Sequence, residues 1–121
     1  MIVQRKTILH CQSSLLELTF NDGYHEMLSF ELLRVHSPAV ARQPSNNLPL
    51  LVSNKAFVKI TTVTHVADYG LAVSFDDGHT GNYASSYLYQ LAKDQDRLWT
   101  NYLERLKQAS QLKRQPLLIT G

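Results

Sequence analysis

The chain has 121 residues, 44% hydrophobic and 18% charged, with a formal net charge of +2. That length fits one globular domain, and that composition excludes a disordered or collagen-like chain. One cysteine, Cys11, rules out an intramolecular disulfide and a four-cysteine zinc site.

No run of about 18 apolar residues occurs, and no apolar stretch of signal-peptide length follows the first residues. The expectation is a soluble, cytoplasmic protein with no membrane contact. Residues 1–96 hold seven Lys/Arg against nine Asp/Glu, and residues 97–121 hold five against one. The basic excess therefore lies at the C-terminal end, where it reads as a solvated helix face and tail, with an anionic partner as the alternative.

In chain order, residues 7–11 read as a short strand ending on Cys11, taken as a buried thiol. Leu16, Leu18 and Phe20 then alternate at period two, as a half-buried strand requires. Asn21-Asp22-Gly23 supplies the turn, because Asp-Gly readily takes the positive φ of a hairpin. Ser29 stands where a helix N-cap belongs. From Ser37 to Lys55 (residues 37–55) three prolines and Asn46-Asn47 mark a surface loop. Residues 57–66 form the strongest strand, with Val58, Ile60, Thr62, Thr64 and Val66 on one face. Leu71, Val73 and Phe75 alternate again into Asp76-Asp77-Gly78, and Ser85 takes the second N-cap position. Asp94 opens a C-terminal helix whose Leu98, Tyr102, Leu106 and Ala109 follow near-helical spacing, widened by Trp99 and Leu103. The tail, 113–121, is expected to be mobile.

The segment 16–33 echoes 71–88 at a constant offset of 55 residues: Phe20 matches Phe75, Asp22 matches Asp77, Gly23 matches Gly78 and Leu33 matches Leu88. Such an echo arises from internal duplication or from the shared grammar of hairpins. Either way it predicts two hairpin–helix units. The fold expected is α+β: one twisted antiparallel sheet of about six strands plus a C-terminal helix, in a single domain over 1–121.

Three pieces, "LLRVHSP" (32–38), "FDDGH" (75–79) with Gly81, Tyr83 and "YLYQL" (87–91), and "LWTNYL" (98–103), stand in a distinctive order. Together, over about 7–106, they resemble the domain at the N-terminus of gamma-butyrobetaine hydroxylase, found also as small stand-alone bacterial proteins. The resemblance implies a compact α+β domain. It also implies an accessory role, since the catalytic domain holding iron and 2-oxoglutarate is a separate unit in the hydroxylases. A likeness to a domain appended to some iron–sulfur ATPases points toward iron or iron–sulfur protein maturation. In the hydroxylases the domain binds zinc through three cysteines and a histidine. His79 matches that histidine, whereas the cysteine positions fall near Ser37, Ala39 and Ala41-Arg42.

Read from the residues, His79 is a structural histidine, a partner contact or a metal ligand. Arg34, after an apolar helical turn, is suited to fork onto Asp77 if the two motifs meet. His36 ends that helix ahead of Pro38. The expected partner-binding set is Arg34, His36, Asp77 and His79. The alternative is a reduced zinc or iron site on His79 and His36 with a carboxylate. Asp22, Gly23, Asp77 and Gly78 are turn residues. Ser37 lacks a nucleophile elbow, and no phosphate loop or HExxH helix occurs. The tyrosines lack the interleaved basic face that nucleic acid requires. The expected function is therefore non-catalytic: a module for a protein partner, with no cofactor of its own.

Overall fold

The computed structural model describes residues 1–114, with side chains through residue 111. Its elements run β1 (Gln4–His10), β2 (Leu15–Phe20), β3 (His25–Ser29), α1 (Phe30–Val35), β4 (Ile60–Val66), β5 (Gly70–Phe75), β6 (Thr80–Ala84) and α2 (Ser85–Arg114). The α+β class and the six strands are as the pattern predicts. The single sheet is not. The strands form two three-stranded antiparallel sheets, ordered β1-β2-β3 and β4-β5-β6. Short turns join neighbours within each unit, so each ladder closes locally. The third strand then passes directly into a helix, which ends the ladder.

Both sheets feed one core. Leu16, Leu18 and Phe20 of β2 join Leu71, Val73 and Phe75 of β5, with Phe30 and Leu33 of α1 and Leu88 and Leu91 of α2. Fully burying each such side chain contributes roughly 1.5–3 kcal/mol, so the period-two alternation of β2 and β5 fixes which face turns inward.

The echo at offset 55 is repeated in the hydrogen bonds. Gly23 N–H donates to Phe20 O and Gly78 N–H to Phe75 O; Phe20 N–H donates to Tyr24 O and Phe75 N–H to His79 O. Phe30 N–H reaches Ser14 O as Ser85 N–H reaches Tyr69 O. Gly23 and Gly78 hold φ of 89° and 87°, the left-handed geometry these turns demand. The units also exchange contacts. Tyr89 of α2 donates its hydroxyl to Asp22 of the first turn, and Arg34 of α1 donates to Asp77 of the second. Positions 34 and 89 are themselves 55 apart, so each helix clamps the other unit's turn.

Several expectations need correction. β4 begins at Ile60, and Phe57 is 90% exposed. A register shift between Ile60 and Thr62 breaks the proposed face: Val58 and Ile60 are buried, Thr62, Thr64 and Val66 are exposed, and Val63 packs on the core. One extra residue in a strand moves everything beyond it to the opposite face. The second unit's helix and the C-terminal helix are one element, because no glycine or proline interrupts 85–114. Asp94 therefore lies inside α2, paired with Arg97 at 3.2 Å. Ser29 is a true N-cap, accepting from Leu32 N–H at 3.0 Å. Ser85 instead accepts from Gln4 N–H at 3.1 Å and ties β1 to α2. Leu103 is exposed, so it does not widen the buried stripe. Cys11 is exposed too, in the turn that follows β1. Of the tail, positions 113 and 114 still belong to α2, and 115–121 lie outside the described residues.

The surface loop 37–55 has local order. Leu50 N–H donates to Ala41 O and Gln43 N–H to Leu48 O, and Arg105 of α2 holds Pro49 O at 2.9 Å. Among the described residues no helix is long and apolar enough to cross a membrane.

Candidate functional site

Asp77 is the hub of the second turn. Its Oδ1 accepts from His79 N–H at 3.1 Å, an Asx turn that holds the corner. Its Oδ2 accepts from Arg34 Nε at 2.8 Å and Lys55 Nζ at 2.7 Å. Burial alone would raise the Asp77 carboxyl, but the hydrogen bonds from Lys55 and Arg34 outweigh it and hold it well below the usual carboxylate range. Arg34 engages through Nε alone, and its Nη1 is buried without a partner among the described residues. The anticipated fork is thus a single bond.

His79 turns its ring toward the end of α1, with Nε2 2.7 Å from Ser37 Oγ. Its partner is a serine hydroxyl from the 32–38 segment. Burial, then the nearby Arg34 charge, pushes the imidazole below its ordinary value, which favours the neutral ring. A serine on a histidine has the outline of a nucleophile and its base. Ser37 is wholly buried, however, and no carboxylate orients the far ring nitrogen, since Asp77 meets only the backbone N–H of His79. A substrate has no path to that hydroxyl. The pair is a brace between α1 and the turn. The equivalent brace in the first unit is Tyr24 hydroxyl to Ala92 O, again 55 residues on at both ends.

Gly81 lets the brace close. A Cβ there would overlap Ser37 Oγ and crowd the Tyr83 ring. Gly81→Ala is therefore expected to lower stability by about 2 kcal/mol, read by urea unfolding. Ser37→Ala in the same chain should recover part of that loss; an additive double variant would show that the two positions do not touch.

The structure brings Arg34, Asp77 and His79 together and leaves His36 apart. His36 caps α1 and is buried, close enough to the charges of Arg42, Arg105 and Arg97 to feel them, and it shares no hydrogen bond with His79. Arg34 and His36 are both buried. The zinc-ligand positions implied by the resemblance contribute only His79 and the Ser37 hydroxyl, because Ala39, Ala41 and Arg42 offer no ligand atom. Among the described residues no group of three or more His, Cys, Asp and Glu could hold a metal ion. The donor set does not fit zinc or iron. Lys55 was not foreseen, since only folding back the 37–55 loop brings it to Asp77.

Known proteins agree with this architecture. Two proteins solved by NMR in solution are similar over 91% of this chain: one at 41% identity with a TM-score of 0.79, covering 83% of its own chain, and one at 37% with 0.76, covering 88%. A crystal structure of a protein of unknown function of the DUF971 family from Acidithiobacillus ferrooxidans is 27% identical, with a TM-score of 0.61 over 74% of this chain and 91% of that one. No match was found among curated proteins. The family model described as gamma-butyrobetaine hydroxylase-like, N-terminal, matches residues 7–89. The chain belongs to the gamma-butyrobetaine hydroxylase-like N-terminal domain family.

Proposed function

We propose that this chain is a non-catalytic accessory module that docks a protein partner at the second turn, in the service of iron or iron–sulfur protein maturation. The observation that supports a docking face is Phe57. Lys55 is pinned to Asp77, while Lys59 and Asp76 exchange two hydrogen bonds, Lys59 N–H to Asp76 Oδ1 at 3.0 Å and Asp76 N–H to Lys59 O at 2.8 Å. The short segment between these anchors presents an aromatic ring that is 90% exposed. A ring held out by a fixed backbone loses little entropy on binding and suits the centre of an interface. Asp77 holds Lys55 at one end of this segment, and Arg34 holds the turn from beneath. The enclosed Ser37–His79 pair argues against hydrolysis at this face. The iron connection rests on the family resemblance.

A photo-crosslinking residue in place of Phe57 tests the reading in native lysate. A discrete adduct with an iron or iron–sulfur protein is expected, together with none from the same residue in place of Ile8 on the other sheet. Phe57→Ala should leave stability within about 0.5 kcal/mol of wild type while competing poorly for the adduct. Equal labelling from both positions would refute the docking face.

A further inference from the structure

A cavity of about 180 Å³ lies between the 42–49 part of the loop and α2. Its walls divide by chemistry. Leu48, Pro49, Leu91 and Leu98 are apolar, while His36, Arg42, Tyr87 and Gln90 are polar. We propose that this cavity binds a small carboxylate with a compact apolar body, the carboxylate on Arg42 and His36 and the body against the leucines. The site is separate from the docking face around Phe57 and does not depend on it.

Three observations lead there. His36 is 5% exposed, yet its imidazole makes no hydrogen bond to any described residue. The ring nitrogens are not among the fully enclosed, partnerless atoms, and His36 lines the cavity, where a ligand oxygen can accept from the ring N–H. Arg42 is fixed in place: its Nη2 donates to the Tyr87 hydroxyl at 2.8 Å, and its guanidinium lies over the Tyr87 ring at 5.8 Å. Tyr87 is held in turn by its hydroxyl on His36 O. Arg42 Nε and Nη1 are left without partners among the described residues, and a planar guanidinium so placed suits a carboxylate.

The charge balance gives the sign of the ligand. Burial, then Arg42, Arg105 and Arg97, disfavour a proton on His36, so the ring is neutral and still offers one N–H. The one carboxylate in the lining, Asp94, is held by Arg97. Neither Arg42 nor Arg105 has a carboxylate partner among the described residues. A cation would meet unpaired arginines, whereas an anion would neutralise one. Cavities on the order of 150 Å³ accept a molecule the size of benzene, so the volume suits a carboxylate carrying one small ring or a short branched chain.

Benzoate is the probe, titrated into the full-length protein while backbone amide resonances are followed by NMR. Saturable shifts centred on Leu48, Gln90 and Leu91 in the millimolar range are expected. Benzamide has the same shape without the charge and should bind at least about fivefold more weakly. Arg42→Gln should weaken benzoate by about tenfold, with resonances far from the loop unchanged. Leu48→Trp, which fills the cavity from the loop side, should abolish the shifts while leaving Arg42 in place. The proposal is overturned by linear, unsaturable shifts, by shifts spread over surface lysines, by benzamide binding as well as benzoate, or by wild-type affinity in both variants.

Discussion

Replacing Arg34 with alanine is expected to lower the free energy of unfolding by about 3 kcal/mol, measured by urea titration at neutral pH. The loss has two parts. The apolar stem of a side chain that is only 11% accessible leaves a gap behind α1. The carboxylate of Asp77 also loses one of its two cations, keeping only Lys55 at 2.7 Å. Asp77 is 20% accessible, so water and Lys55 soften the second part, and the estimate sits at the low end for a broken buried pair. Arg34→Met separates the two, because it keeps the stem and discards the buried, unpartnered Nη1 along with the charge. It should cost about 1 kcal/mol less than alanine. Asp77→Asn should cost at least as much as Arg34→Ala, since it strands the guanidinium, the more deeply buried member. The folded-state carboxyl is depressed, so its contribution is present above the ordinary value of 3.8 and fades as pH falls below it. The gap between wild type and Arg34→Ala should narrow over the same range. A gap that stays constant down to strongly acid pH would assign the loss to packing alone.

The partner of Arg34 was legible because two short motifs each had an unmet need: an arginine after an apolar turn and an aspartate in a glycine corner. The turns themselves were legible for the same local reason, since Asp22-Gly23 and Asp77-Gly78 permit little else. Long-range closure was not. Whether two hairpins share one ladder depends on which edges meet, and no local residue reports that. The bulge at Thr61 left no mark in a run of β-branched residues, so the face of β4 was misread beyond Ile60. The extent of α2 was misread because Asp94 looks like a cap from sequence, although the helix had already begun at Ser85 and nothing stopped it. His36 was grouped with His79 for its chemistry alone. The chain turns at the end of α1, and that turn sends position 36 toward Arg42 and position 37 toward the histidine. Offset 55 proved the most informative feature. It relates Arg34 to Tyr89, Ser37 to Ala92 and His79 to Tyr24, and so separates the brace every copy needs from the side chains peculiar to one copy.

His36 should make the fold sensitive to mild acid. Burial first, and then the charges of Arg42, Arg105 and Arg97, lower its pKa from 6.5 to about 4. In the unfolded chain the ring regains its ordinary value, so between those two pH values the unfolded state binds more protons than the folded one. Stability from this residue is therefore complete above about 6.5, declines as pH falls toward 4, and is level below that. The interval corresponds to at most about 3 kcal/mol, less whatever solvent reaching the ring screens away. His79, also lowered, adds a smaller loss in the same direction, whereas Asp77 contributes only in more acid solution. The measurement is urea unfolding of wild type and His36→Gln across pH 4 to 7. Glutamine keeps a polar group in the space and removes the titration. The variant should be the less stable protein at pH 7, and the difference should shrink steadily toward pH 4, because only wild type has a proton to take up at that position. Groups common to both chains cancel in the subtraction. A difference that does not change with pH would mean that position 36 is wet enough to hold its proton in the native state, and the imidazole would not be the neutral, enclosed ring described here.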